Sequence, residues 1–342
     1  MSETKAAPQS AAPADIPRAK LDLLPLLIPV VLAAAALVLV GSPTTWLTLT
    51  LSALAMGMMI FVIASGMTLV FGLMDVINFG HGAFIAIGAY LAFTVLGPLA
   101  GWMASESLLT NLSALAVAAL AAMIGTGALG MAFERIIIRP VYGQHLKQIL
   151  ITMGGLIVAE QALHAIFGGD QKAMPLPNGL RGAIVVGDLA FEKYRLLIVV
   201  VGLAVFTGMQ LVLNRTRIGL LIRAGVENAE MVEALGYRIR RLFIGVFVVG
   251  SGLAGLGGVL WALYRETLTA GISNDVMTLV FIVVIIGGLG SVGGCFLGAI
   301  LVALLANYSA FLVPKFALVS TVLLMVLILL WRPQGLYPVA KR

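Results

Sequence analysis

Three groups of polar residues interrupt an otherwise apolar chain, and they are where chemistry can occur. The first is Asp75, Asn78 and His81 in FGLMDVINFGHGAFIAIGAY, residues 71–90. They cluster where two apolar runs meet, and Gly80 and Gly82 flank the histidine. Glycine permits a tight turn or unwound backbone, which membranes tolerate where it meets protein or a water-filled cavity. Two readings stand side by side: Asn78, His81 and Gly82 line such a cavity, or Asp75 and Asn78 cap the next helix at an interfacial turn.

The second group is Glu160, Gln161 and His164 in MGGLIVAEQALHAIFG, residues 153–168. On a helix, Glu160 and His164 are one turn apart on one face. A carboxylate inside an apolar span is costly and points to function or to an internal pair. The plain alternative is a local Glu160–His164 pair that tunes packing near one end of the helix. Proton coupling is the weaker functional reading, because no acidic relay continues through other spans.

The third is NRTRIGLLIRAGVENAEMVEALGYRIRR, residues 214–241, the one long charged run between apolar segments. It carries Arg215, Arg217, Arg223, Arg238, Arg240 and Arg241, with Glu227, Glu230 and Glu233 between them. The pattern predicts a short helix over 226–235. Met231, Val232 and Leu235 share one side of it and Glu230 and Glu233 the other. Gly236 ends it at the C′ position that glycine prefers. Such a helix can lie on lipid headgroups or insert its apolar face into a partner's groove. The three glutamates disfavour an anionic membrane and favour a protein partner. An ordinary connecting loop remains the bland alternative.

Other chemistry is missing from the sequence. No Gly-Lys pair occurs, so there is no Walker phosphate loop, and no H-E-x-x-H. Gly288, Gly290 and Gly293 fit G-x-G-x-x-G, but inside an apolar glycine-rich run rather than a βαβ unit. Close helix packing or a broken helix accounts for them better. So does it for the G-x-x-x-G at Gly294 and Gly298, and for the small-residue stripe Gly250, Ala254 and Gly258. The lone cysteine, Cys295, reads as a small buried residue.

The elements that position these groups follow from composition. The chain has 342 residues, 61% hydrophobic and 11% charged, with a formal net charge of +6. Soluble domains carry about 25% charged residues. The apolar runs are continuous over about 20 residues rather than alternating, so the expected class is an all-α, polytopic transmembrane helical bundle. About ten spans are expected (8–10), near 22–41, 46–71, 79–97, 108–133, 148–168, 195–213, 242–263, 276–291, 295–312 and 316–331. Glycines within 46–97 and 276–312 allow re-entrant segments. The basic residues sit beside spans and set orientation, so the positive charge is no nucleic-acid signal. With both termini cytoplasmic, Arg135, Arg139, Lys147, the 214–241 loop and Arg332 all fall inside, and loops 169–194 and 264–275 outside.

Residues 1–20, rich in Ala, Pro and polar groups, read as a disordered cytoplasmic tail. The run after it is longer than a signal-peptide core. GHGAFIAIGAYLA (80–92) and GSVGGCFLGAILVA (290–303) share a glycine-rich turn leading into an apolar helix, a hint of internal repetition.

ASGMTLVFGLMDVINFGHGAFIAIGAY (64–90) resembles the signature of the permeases of branched-chain amino acid ABC importers. RTRIGLLIRAGVENAEMVEALGYRIRRL (215–242) is similar to that family's coupling loop, with Arg223, Ala224, Glu227, Asn228, Ala229, Ala234 and Gly236 at matching places. FIVVIIGGLGSVGGCFLGAILVAL (281–304) and WRPQGL (331–336) are similar to further family segments. The resemblance runs from about residue 46 to the C-terminus and is nearest to the first permease of the high-affinity leucine/isoleucine/valine pair. It implies a non-enzymatic, multi-pass subunit of the bacterial inner membrane. It also implies a second permease, two ATPase subunits that bind ATP and Mg, and an extracytoplasmic substrate-binding protein as partners. No cofactor is implied for this chain itself.

On that resemblance the chain divides into the tail 1–20, an added N-terminal helix and short loop 21–45, and the permease domain 46–342. ATPase coupling is expected at Arg223, Glu227, Asn228, Ala229, Glu230, Glu233, Ala234, Leu235 and Gly236. The translocation path is expected at Asn78, His81, Gly82, Glu160, Gln161 and His164. The last three match no family motif, and relatives also import urea, amides and aromatic acids, which keeps those substrates open. The rival class is an ion-gradient-driven secondary transporter, disfavoured by scarce intramembrane carboxylates. A membrane enzyme is disfavoured by the lack of a clustered nucleophile, acid–base pair or metal set.

Overall fold

The computed structural model describes residues 23–227 and 229–337. The tail 1–20 and Asn228 lie outside the described residues. The apolar runs become helices in order: α1 (Leu24–Val40), α2 (Pro43–Met74), α3 (His81–Leu96), the short α4 (Ala100–Met103), α5 (Leu108–Phe133), α6 (His145–Phe167) and α7 (Lys193–Arg215). The charged segment forms α8 (Arg217–Glu227) and α9 (Ala229–Ala234). Then follow α10 (Ile239–Arg265), α11 (Ile272–Gly287), α12 (Val292–Leu312) and α13 (Ala317–Trp331). Among the described residues, six helices are long and apolar enough to cross a bilayer, and four more are shorter and apolar. The chain is a helical polytopic membrane protein.

Helix starts are written locally. Ser42, Ser107 and Ser291 each accept a backbone N–H from three residues on, capping α2, α5 and α12. Packing then sorts the helices. α2 and α10 form the centre, with 61% and 67% of their apolar windows buried, against 11% for α6 and 17% for α7. Gly258 of α10 presses on the Ile85 carbonyl of α3, where a Cβ has no room. Gly294 does the same against Gly287, so the G-x-x-x-G is close helix packing. Cys295 is fully buried.

The loops depart from an all-helical expectation. β1 (Lys172–Ala173) pairs antiparallel with β4 (Thr267–Leu268), and β2 (Ala183–Val186) with β3 (Leu189–Glu192). The β1–β4 pairing ties loop 169–194 to loop 264–275 and so puts both at one end of the bundle. The basic segment α8–α9 joins α7 to α10 at the opposite end.

α3 is a half-helix. α2 runs 32 residues, and residues 75–80 return in irregular backbone. The Phe79 N–H donates to Thr152 Oγ of α6 (3.2 Å), and the Phe79 ring meets Phe281 of α11 (4.8 Å). Asp75 itself is exposed in the left-handed region (φ 51°), as the C-cap of α2. α3 therefore begins inside the bundle, as the glycines around His81 allowed.

Candidate functional site

Two regions concentrate the polar groups. The first surrounds the start of α3. His81 is 1% exposed, and its Nε2 lies 2.9 Å from the Ile63 carbonyl of α2. Asn78 is 2% exposed, and its Oδ1 has no hydrogen-bond partner among the described residues. A Cβ on Gly82 would meet Met277 and Ser273 of α11 and Leu156 of α6, at 3.0–3.2 Å. α6 and α11 thus close over the N-terminal turn of α3 at Gly82. Asn78, His81 and Gly82 are brought together, beneath that lid.

Glu160 stands above them. Its Oε1 accepts hydrogen bonds from the Ser273 hydroxyl and from Asn274 Nδ2 (3.2 Å), both in the first turn of α11. A carboxylate at a helix N-terminus is favoured by unpaired N–H groups and the dipole. The Glu160–His164 pair is not formed: no ion pair joins them among the described residues, because α11 supplies better donors. Gln161 and His164 are exposed on α6. Asn274, Asp275 and Thr278 are exposed on α11, an element the sequence reading had placed partly in an outer loop. Polar groups on α6 and α11 therefore flank α3. The signal for the α11 half was the Ser-Asn-Asp triplet opening an apolar run.

The second region is α8–α9. The segment expected as a helix over 226–235 is helical through Glu227 and again over Ala229–Ala234, and Asn228 between them lies outside the described residues. Glu227 belongs to α8, and Ala229 and Glu230 to α9. Gly236 ends α9 with φ +87°. Its N–H reaches the Glu233 carbonyl (2.9 Å), and the Tyr237 N–H reaches the Val232 carbonyl (3.2 Å). That pair of bonds is a Schellman motif, and it requires the left-handed residue that glycine supplies. The expected apolar side is split. Val232 turns inward (3% exposed), while Met231 and Leu235 face outward at 57% and 70%. Glu233, Ala234 and Tyr237 share that exposure. Arg223 folds back: its Nη1 donates to the Leu213 carbonyl (3.0 Å) and Asn214 Oδ1 (3.2 Å), fixing α8 against the end of α7.

Sequence reasoning missed Glu134, which lies just past the 108–133 span. It is 1% exposed, in a π-helical turn (Glu134–Ile138) that extends α5. The described residues hold no group of three His, Cys, Asp or Glu able to bind a metal.

Comparison with known proteins gives a consistent picture. The family described as "Branched-chain amino acid transport system / permease component" matches residues 49–331. The chain is 30% identical over 290 residues to the high-affinity branched-chain amino acid transport system permease protein BraD of Pseudomonas aeruginosa, covering 83% of this chain and 92% of that one. It is 26% identical to the corresponding LivH of Escherichia coli K12 over 286 residues, 80% of this chain and 89% of LivH. It is also 25% identical to LivM of the same strain, 83% of this chain and 69% of LivM. No solved structure matches.

Proposed function

Since the chain belongs to the branched-chain amino acid transport permease family, we propose that it is the membrane-spanning permease subunit of an ATP-driven importer for branched-chain amino acids. It works with a second permease, two ATPase subunits that bind ATP and Mg, and an external binding protein, in a bacterial inner membrane. On this reading both termini and α8–α9 are cytoplasmic, the ten apolar helices are all spans, and α1 is an addition to the 46–342 permease domain.

The observation that carries the reading is α9. It is a short helix, closed at Gly236, presenting Met231, Leu235 and Tyr237 outward between the basic ends of two spans. Apolar anchors with Glu233 beside them suit a protein groove rather than an anionic membrane. The coupling role covers Arg223, Glu227, Asn228, Ala229, Glu230, Glu233, Ala234, Leu235 and Gly236. Arg223 serves it by holding α8 to α7.

The path runs along the α6–α11 face. Glu160 and Asp275 offer carboxylates, and Gln161 and Asn274 amide oxygens, for an ammonium group, beside the His164 imidazole and the Thr278 hydroxyl. Beneath them Asn78, His81 and Gly82 form the floor, where α3 begins within the bundle, as discontinuous helices do at transport sites. The contact of Gly82 with Leu156, Ser273 and Met277 is the closed gate. An external binding protein sets specificity, so the path needs only weak affinity.

The test is composition. The tagged chain, purified from native membranes in mild detergent, should bring a second permease and P-loop ATPases, identified by mass spectrometry. A properly inserted chain that reproducibly comes alone contradicts the coupling assignment and favours a gradient-driven carrier.

A further inference from the structure

One buried carboxylate has no place in the path. Glu134 Oε1 accepts the Tyr142 hydroxyl (2.8 Å), while Oε2 is buried with no hydrogen-bond partner among the described residues. A half-satisfied buried carboxylate is unfavourable and calls for a donor. π-helical turns such as Glu134–Ile138 occur often at sites that move or act.

The seam between α5 and α10 says which donor. The two helices run antiparallel. Gly130 meets Ser251. One turn further along α5, Phe133 stacks on Phe247 (6.2 Å). Arg240 lies seven residues before Phe247, on the same stripe of α10, so the seam continues from Arg240 to the π-helical turn. Arg240 is exposed and sits in the first turn of α10, four residues after Gly236. Burial, then the Glu134 hydrogen bond and charge, push the Tyr142 phenol well above its usual value, and Arg240 and Arg139 pull it back. Both guanidiniums are therefore within electrostatic reach of this corner.

We propose that Glu134 receives the coupling stroke: when the ATPases close on α9, Arg240 moves onto the open Oε2 and forms a buried ion pair. The pair turns the π-helical segment and, through Tyr142, the corner that leads into α6. α6 carries Leu156 of the gate and Glu160 of the path, so closure at one end reaches the other along one helix. Arg240 and Glu134 are positioning residues and touch no substrate. The inference rests on the coupling reading of α9.

The test uses the whole importer, with both permeases, ATPases and binding protein, reconstituted in proteoliposomes. The readout is leucine moved per ATP hydrolysed, for Glu134→Gln, Arg240→Gln, the double variant and Arg240→Lys. Each glutamine variant should lower the ratio about tenfold, and the double variant should be no worse than the poorer single. Lysine, which keeps the charge, should stay within about threefold of wild type. Arg240 is on the surface, so Arg240→Gln folds even if Glu134→Gln does not assemble, and a wild-type ratio in Arg240→Gln overturns the proposal. So do losses that add in the double variant. Wild-type importer that shows no ATP-driven uptake would instead sink the permease reading itself.

Discussion

Ser273, in the first turn of α11, donates its hydroxyl to the Glu160 carboxylate on α6. This bond bridges two helices that close over the start of α3, and it replaces the intrahelical Glu160–His164 pair that spacing alone suggested. On the proposed function, it ties the charged group of the path to the gate.

Glu160→Gln should therefore lower the maximal uptake rate about tenfold with normal membrane levels, about 1.4 kcal/mol in the rate-limiting opening or binding step. Ser273→Ala should shift it in the same direction by less, since Asn274 remains. Transport assays in whole cells check this, with expression followed by immunoblot. Unchanged kinetics in both variants would reduce the bridge to packing.

At α9, Leu235→Glu should abolish uptake and remove the ATPase subunits from the purified complex, while the chain still inserts. Gly236→Val should do the same, because a β-branched residue at φ +87° loses the Schellman closure. Quantitative co-purification is the measurement, and full ATPase recovery with Leu235→Glu argues against this docking surface.

His81 makes a different prediction. It is buried on the Ile63 carbonyl, so His81→Ala should cost stability by about 1–3 kcal/mol from the lost hydrogen bond and the cavity, and lower the detergent-solubilised midpoint by several degrees. The KM of the surviving fraction should stay near wild type, because the imidazole shapes the proposed floor through its bond to Ile63 rather than by touching substrate. A large KM change at unchanged thermal midpoint would place the imidazole in contact with substrate.

Gly258→Leu tests the bundle centre. With no room beside the Ile85 carbonyl, α3 and α10 must separate. Loss of folded protein by size-exclusion fluorescence is expected, and wild-type yield would refute the close approach.

Much of this was legible in the sequence because the physics was local. The apolar runs became helices, six of them among the described residues long enough to cross a bilayer, since the bilayer demands internal backbone bonding. Gly236 announced its own left-handed turn. What stayed hidden was tertiary. β1 and β4 are two residues each, and nothing in Lys172–Ala173 or Thr267–Leu268 names its partner across the chain. Ser273, Asn274 and Asp275 read as loop because hydropathy averages over a window and cannot see one helical face. Glu134 drew no reading, standing between the 108–133 span and the basic Arg135 and Arg139, yet a π-helical turn carries it into the bundle.

The measurement that tests the central claim most directly is leucine uptake into proteoliposomes holding this chain with its co-purified subunits. The binding protein and leucine are placed on the outside and ATP-Mg is trapped inside. Uptake that needs trapped ATP, survives ionophores and disappears with Leu235→Glu is the predicted result. Uptake that proceeds without ATP and collapses with the ion gradient contradicts the account.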